Sequence, residues 1–195
     1  IKQKNFGWTM GVQVSTVRNR ITKMPEKVPE FIDGTKKYTV GASLFDYWLR
    51  TYRGVDSDDG SALYTANNTQ ASSGIRIKPN KSGGKDTLTT DINNAKFGYQ
   101  GGVIPDFYGA MTQEIRIYGF TLSAMFTFQN GGRTFDAAYQ GLMSSGTYGS
   151  AIHSDIKQRW QQPGDVTNVP RMDNGQTVNF NATSSRWLID ASYFN

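Results

Sequence analysis

The chain has 195 residues, a net charge of +5, 37% hydrophobic and 13% aromatic residues, 21 glycines and no cysteine. No run approaches the roughly 18 consecutive apolar residues that a membrane-crossing helix needs, which excludes a helical membrane protein, and the missing thiols exclude disulfide frameworks and thiolate metal sites. Lys and Arg are scattered; the densest group, KPNKSGGK at 78–85, is broken by Gly and Ser like a solvated loop, so no nucleic-acid partner is expected.

Residues 5 to 17, NFGWTMGVQVSTV, alternate strictly. Phe6, Trp8, Met10, Val12 and Val14 fall on one side of a strand, and Gly7, Thr9, Gly11, Gln13 and Ser15 on the other, because successive strand side chains point to opposite faces. A solvated sandwich face would favour Lys and Glu; this one carries small polar residues.

Residues 22 to 105 are rich in Gly, Asn, Ser, Thr and Asp and read as a long loop, with one strand expected around YTVGASLFDYWLRTY at 38–52. Loops of this length are uncommon inside compact domains and carry function when they occur. Residues 106 to 117 and 120 to 129 then form a hairpin turning at Tyr118-Gly119. Gln113, Ile115 and Ile117 alternate with Thr112, Glu114 and Arg116 on the first arm, and Phe120, Leu122, Ala124, Phe126 and Phe128 alternate with polar neighbours on the second. Two arms of about ten residues with one aromatic, branched face have the dimensions of a tilted transmembrane barrel strand. Residues 130 to 186 form a second long loop with a short helix expected at 134–143, and 187 to 195 begin another strand.

Parity then gives a topology. With the Tyr118-Gly119 turn on the periplasmic side, the two long loops lie outside the cell, and about four strands are counted, at 5–17, 106–117, 120–129 and 187–195. A bacterial barrel needs about eight strands to close, since an open edge in lipid leaves backbone groups unsatisfied. The expected fold is therefore all-β, with residues 1–195 a fragment of a large antiparallel transmembrane β-barrel with long extracellular loops.

No catalytic constellation emerges, and no enzyme is expected. DSDDG at 56–60 lacks EF-hand spacing, its glycine standing fifth and Asn67 twelfth, and reads as a tight polar turn. The lone His153 has no cysteine or second histidine near it, no G-x-S-x-G appears, and no cofactor or metal is called for. Tyr47, Trp48, Tyr52, Tyr64 and Trp160 in the loops offer faces that stack on a ligand or a partner, or else pack the loops and the headgroup girdle.

Several stretches resemble the SusC/RagA-type TonB-dependent outer-membrane transporters of the Bacteroidota. They are FGWTMGVQVSTVRNRITKMP at 6–25, GASLFDYWLRTYRGVDSDDGSALY at 41–64, YQGGVIPDFYGAMTQEIRIYGFTLSAMFTFQNGGRTFDAAYQ at 99–140, RWQQPGDVTNVPRM at 159–172 and SSRWLIDASYFN at 184–195. The resemblance covers most of the chain in the family's order. It implies the C-terminal third of a 22-stranded barrel without its final strands, the plug domain being absent here. It also implies a SusD-like surface lipoprotein as lid, a TonB complex acting through the missing N-terminal part, and uptake of a large nutrient, an oligosaccharide first and a peptide second. In that setting Phe6, Trp8, Phe120, Phe126 and Phe128 face outer-membrane lipid, and Gln13, Glu114, Arg116 and Thr127 face the lumen. Trp48, Tyr52, Tyr64 and Trp160 are candidate contacts to substrate or lid. The competing expectation is a soluble all-β carbohydrate-binding module whose strands pack into a sandwich.

Overall fold

The computed structural model describes residues 2–3, 5–70, 74–80, 82–144, 148–172 and 181–195; parts of both long stretches, at 71–73, 81, 145–147 and 173–180, lie outside the described residues. The chain is all-β, with antiparallel strand pairs and little helix. Its strands are β1 (Lys2–Gln3), β2 (Phe6–Ser15), β3 (Glu30–Asp33), β4 (Lys36–Thr39), β5 (Asp46–Arg50), β6 (Tyr52–Val55), β7 (Ala62–Thr65) and β8 (Ile75–Pro79). They continue as β9 (Lys85–Thr89), β10 (Phe97–Gly102), β11 (Phe107–Ile117), β12 (Phe120–Asn130), β13 (Arg133–Phe135), β14 (Leu188–Asp190) and β15 (Tyr193–Phe194). The helix α1 spans Ala137–Leu142, capped by Asp136, whose carboxylate accepts from the Tyr139 amide at 2.8 Å.

Two compact units share these elements. The first comprises Ile1–Tyr47, Gly101–Thr134 and Ile189–Asn195. Its main sheet runs in the order β1-β2-β11-β12-β15. The hairpin between β11 and β12 closes at the Ile117–Phe120 pair, with Tyr118 at φ 47° and Gly119 at φ 91°. Two positive φ values are what a two-residue mirror-image turn demands, and glycine meets that demand without Cβ strain while Tyr118 tolerates it. A smaller hairpin joins β3 to β4, where the Phe31 and Tyr38 rings stack at 5.9 Å.

The second unit comprises Trp48–Gln100 and Phe135–Leu188. Its four-stranded sheet has the order β6-β7-β9-β8. One core gathers Ala62, Tyr64 and Ala95, with Tyr52 and Ile92 against them. A second gathers Met143, Ile156, Val169 and Trp187, flanked by Phe135, Tyr139 and Met172. The buried indole of Trp187 donates to the Ala182 carbonyl at 2.9 Å, so its one polar atom is satisfied inside an apolar cluster.

The stretch 22–105 therefore differs from the single strand and irregular loop expected there, carrying β3 to β10. The expected strand over 38–52 is divided, because Gly41 turns the chain at φ 94° and separates β4 from β5. These strands are four to six residues long and mix polar with apolar side chains, so alternation has too few positions in which to show.

Candidate functional site

In the first unit, register sorts the side chains of three long strands onto two faces. Ile117 pairs with Phe6 and Phe120, Ile115 with Trp8 and Leu122, Gln113 with Met10 and Ala124, and Met111 with Val12 and Phe126. Directly paired residues share a face, so one side is apolar but for Gln113. It is continued by Phe128, whose ring meets Phe107 at 6.3 Å, and by Phe194, stacked on Phe126 at 5.7 Å. The intervening pairs make the opposite face: Arg116 with Gly7 and Thr121, Glu114 with Thr9 and Ser123, Thr112 with Gly11 and Met125, Ala110 with Gln13 and Thr127. On it Arg116 and Glu114 form an ion pair at 2.7 Å, as two residues apart on one strand permits.

Little covers the apolar face. Phe120 is 83% exposed and Leu122 68% on β12, and Met10, Val12 and Val14 are exposed along β2, large side chains that water solvates poorly.

In the second unit the DSDDG turn is an ion-pair knot. Asp56, 1% exposed, accepts from Lys78 Nζ at 2.9 Å and from the Asp58 amide at 3.0 Å, while Arg76 Nε stands 3.5 Å from its other oxygen. Asp58 binds the same Lys78 at 2.7 Å, and Asp59 meets Arg76 at 3.3 Å. The hydrogen bond from Lys78, more than its charge, holds the Asp58 carboxyl below the usual range. Desolvation opposes ionisation of Asp59, but the Ser61 amide and hydroxyl together with Arg76 outweigh it and lower its pKa. Bonds to Asp58 and Asp56 raise Lys78 in turn. The carboxylates are thus matched by side-chain cations, and among the described residues no His, Cys, Asp or Glu group could hold a metal ion.

A second knot ties this turn to the RWQQPGD stretch. The Trp160 indole donates to the Ser57 carbonyl at 3.0 Å, and the Gly164 amide donates to the same oxygen at 2.8 Å. Asp165 accepts from the Gln161 and Gln162 amides at 2.9 and 3.0 Å, which shapes the turn that presents Gly164. Arg171 completes it, donating through its side chain to Asp59 O and through its amide to Gly60 O, both at 2.9 Å. These partners lie about a hundred positions apart, and no local pattern in the sequence marks them.

The loop aromatics part company. Tyr64, a candidate contact whose other expected role was to pack the loops, takes the second: it is 1% exposed and belongs to the core, its hydroxyl pKa pushed up to about 12 by burial. Three consecutive buried positions, Ala62 to Tyr64, put both faces of β7 inside. Tyr52 is half-buried, its ring 5.6 Å from Tyr64 and its hydroxyl donating to Asn168 O at 3.1 Å. Trp160 is half-buried and engaged in the knot. Trp48 instead lies with Tyr99 at 4.8 Å and Phe97 at 6.4 Å, beside Arg50. His153 caps the turn Ser154–Gln158, its Nδ1 accepting from the Asp155 amide at 3.2 Å.

No helix among the described residues is long and apolar enough to cross a membrane, a statement that leaves strands untouched. No family model and no curated protein matches the chain. Solved structures do. A structure of the RagAB peptide transporter aligns with 100% of this chain at TM-score 0.76 and 15% identity. The RagAB peptide importer aligns in its closed-closed state with 100% of the chain at TM-score 0.76 and 17% identity, and in its open-open state with 99% at 0.72 and 16%. The chain spans 20%, 20% and 19% of those three chains, about a fifth of their length. This chain thus shares its fold with a part of those transport proteins.

Proposed function

We propose that the chain is a stretch of barrel wall and external loop from a SusC/RagA-type TonB-dependent outer-membrane transporter, with β2, β11 and β12 lying in a large, 22-stranded antiparallel barrel. The observation that carries this reading is the uncovered apolar face on strands of 10 and 11 residues. About nine to eleven residues are what a tilted strand needs to cross a bilayer. Lipid supplies the cover that the chain's own residues do not. Phe6, Trp8, Phe120, Phe126 and Phe128 meet lipid, and Gln13, Glu114, Arg116 and Thr127 meet the aqueous lumen. A soluble sandwich would bury the first set against a second sheet, and the exposure of Phe6, Trp8 and Phe120 argues against it, Phe126 and Phe128 being half-buried.

In this reading the second unit is external loop, a SusD-like lipoprotein covers the loops, and the TonB complex acts through a plug outside this stretch. The cargo is a large nutrient, an oligosaccharide; the likeness to structures named as peptide importers makes a peptide the competing cargo to test. Fractionating cells that make the full-length protein tests the reading. Recovery in the outer membrane, with a folded band that shifts on heating in detergent, is expected; recovery as a soluble monomer overturns it.

A further inference from the structure

Strands β5 and β10 lie side by side, and over Trp48–Arg50 and Phe97–Gln100 their alternation separates two faces. Leu49 is buried at 1% exposure, whereas Phe97 and Tyr99 are 38% and 41% exposed. The exposed side carries Trp48, its plane within 17° of Phe97 at 6.4 Å, and Tyr99 edge-on to the indole at 4.8 Å. At one end sits Arg50, its guanidinium 4.6 Å above the Phe97 ring and its Nε fixed by donation to Ile92 O at 3.1 Å. Among the described residues Arg50 has no carboxylate partner, unlike Arg53, Arg76 and Arg116.

Arg50 is a half-buried guanidinium whose charge meets no carboxylate among the described residues, and its planar fork suits an anionic acceptor. The flanking residues are polar: the Gln100 amide donates to Thr51 Oγ1 at 2.8 Å. Lipid is an unsuitable occupant, because strands of five and six residues are too short to cross a bilayer. The fitting ligand is flat, apolar on one face, acceptor-rich at its rim and negatively charged. A pyranose ring presents axial C–H groups to aromatic faces, and a carboxylate on its rim gives Arg50 a charge-assisted, bidentate acceptor.

We propose that Trp48, Phe97, Tyr99 and Arg50 form a binding platform for an acidic glycan, a uronic-acid-containing oligosaccharide. The proposal rests on the transporter reading and narrows its cargo. A uronate ring packs on the Trp48 and Tyr99 rings, beside the Phe97 ring that Arg50 already covers, while its carboxylate accepts from the terminal nitrogens of Arg50.

The test uses the full-length transporter in detergent and isothermal titration with three probes: tetragalacturonic acid, its neutral counterpart galactotetraose, and tetra-alanine. Tetragalacturonic acid is expected to bind saturably, at least about tenfold tighter than the neutral sugar, and more weakly as salt rises. Arg50→Lys, which keeps the charge but loses the planar fork, and Tyr99→Leu, which keeps apolar bulk but loses the ring, should each weaken it about tenfold. Both variants are first shown to fold by their heat-shifted band. Absence of binding, equal binding of the neutral sugar, binding of tetra-alanine alone, or affinity unmoved by both substitutions overturns the platform. Recovery in the outer membrane still decides the transporter reading separately.

Discussion

Trp8 stands directly opposite Ile115 across the β2–β11 pair, and the next pair along, Gly7 with Arg116, looks the other way. On the proposed reading, that inversion at every step lets one ribbon meet two media. It also makes each face separately testable.

Phe126→Arg puts a charge on the apolar face near the middle of β12, where Phe126 pairs with Met111 and stacks on Phe194. A loss of about 2 to 4 kcal/mol is expected for such a charge at the bilayer midplane. Thr127→Arg, one residue on and paired with Ala110, should cost far less if, as proposed, that face meets water. Urea titration of the transporter refolded into lipid vesicles measures both, and equal damage would contradict the assignment of faces.

Gly109 of β11 pairs with Val14 of β2. A Cβ there would run into the Gln13 carbonyl oxygen and come within 2.8 Å of the Phe128 ring, so neither backbone nor ring yields easily. Gly109→Ala should therefore destabilise by about 1 to 3 kcal/mol through overpacking. Gly141 in α1 has nothing within 4 Å of its Cβ position, and Gly141→Ala should stabilise the helix by about 0.5 to 1 kcal/mol. The two substitutions move the unfolding midpoint in opposite directions.

The Trp160 knot separates a hydrogen bond from a ring. Trp160→Phe removes the donor to Ser57 O, yet Gly164 still donates to that oxygen, so a cost of about 0.5 to 1.5 kcal/mol is expected. Trp160→Ala also removes the ring's packing and should open the 56–60 turn to proteolysis. Cleavage rates at that turn, compared between the two variants, check the order.

Acid should loosen this region first. Asp58, Asp59 and Asp86 all have folded pKa values below the ordinary 3.8, Asp58 through Lys78, Asp86 through Asn80 and then Arg53, and Asp59 through Ser61 and Arg76 against desolvation. A depressed carboxylate pKa stabilises the fold above the unfolded value and stops doing so as pH falls through the folded value. The stabilisation is therefore complete at neutral pH and fades below about pH 4. Trp160 fluorescence, in a background with the other tryptophans replaced by phenylalanine, should shift in that window and move little between pH 5 and 8.

What the sequence reveals follows from strand length. Over Phe6–Val14 and Phe120–Phe128 the alternation has enough repeats to name a face, and Tyr118-Gly119 marks the turn between the long arms. Strands such as β6 and β7 have four residues, and β7 is buried on both sides, so period two cannot appear and the sequence leaves Tyr64 open between a contact surface and loop packing. The ion pairs of Asp56 with Arg76 and Lys78 join residues about twenty apart, and the Trp160–Ser57 bond spans 103 positions. Such pairings depend on how loops cross in space, which local pattern does not encode. The Trp48 platform was half-legible: the indole stood out, but its partners Phe97 and Tyr99 reach it only because β10 lies beside β5.

The most direct measurement is cysteine scanning of β12, feasible on a segment that has no cysteine of its own. Single cysteines at each position from Phe120 to Thr127 are placed in the full-length protein in the membranes of the cells that make it, and offered a water-soluble and a lipid-soluble maleimide. Strict alternation is expected, the lipid-soluble reagent favouring 120, 122, 124 and 126 and the water-soluble one favouring 121, 123, 125 and 127. Uniform labelling, or protection of the even positions from both reagents, would place those phenylalanines inside protein and contradict the account.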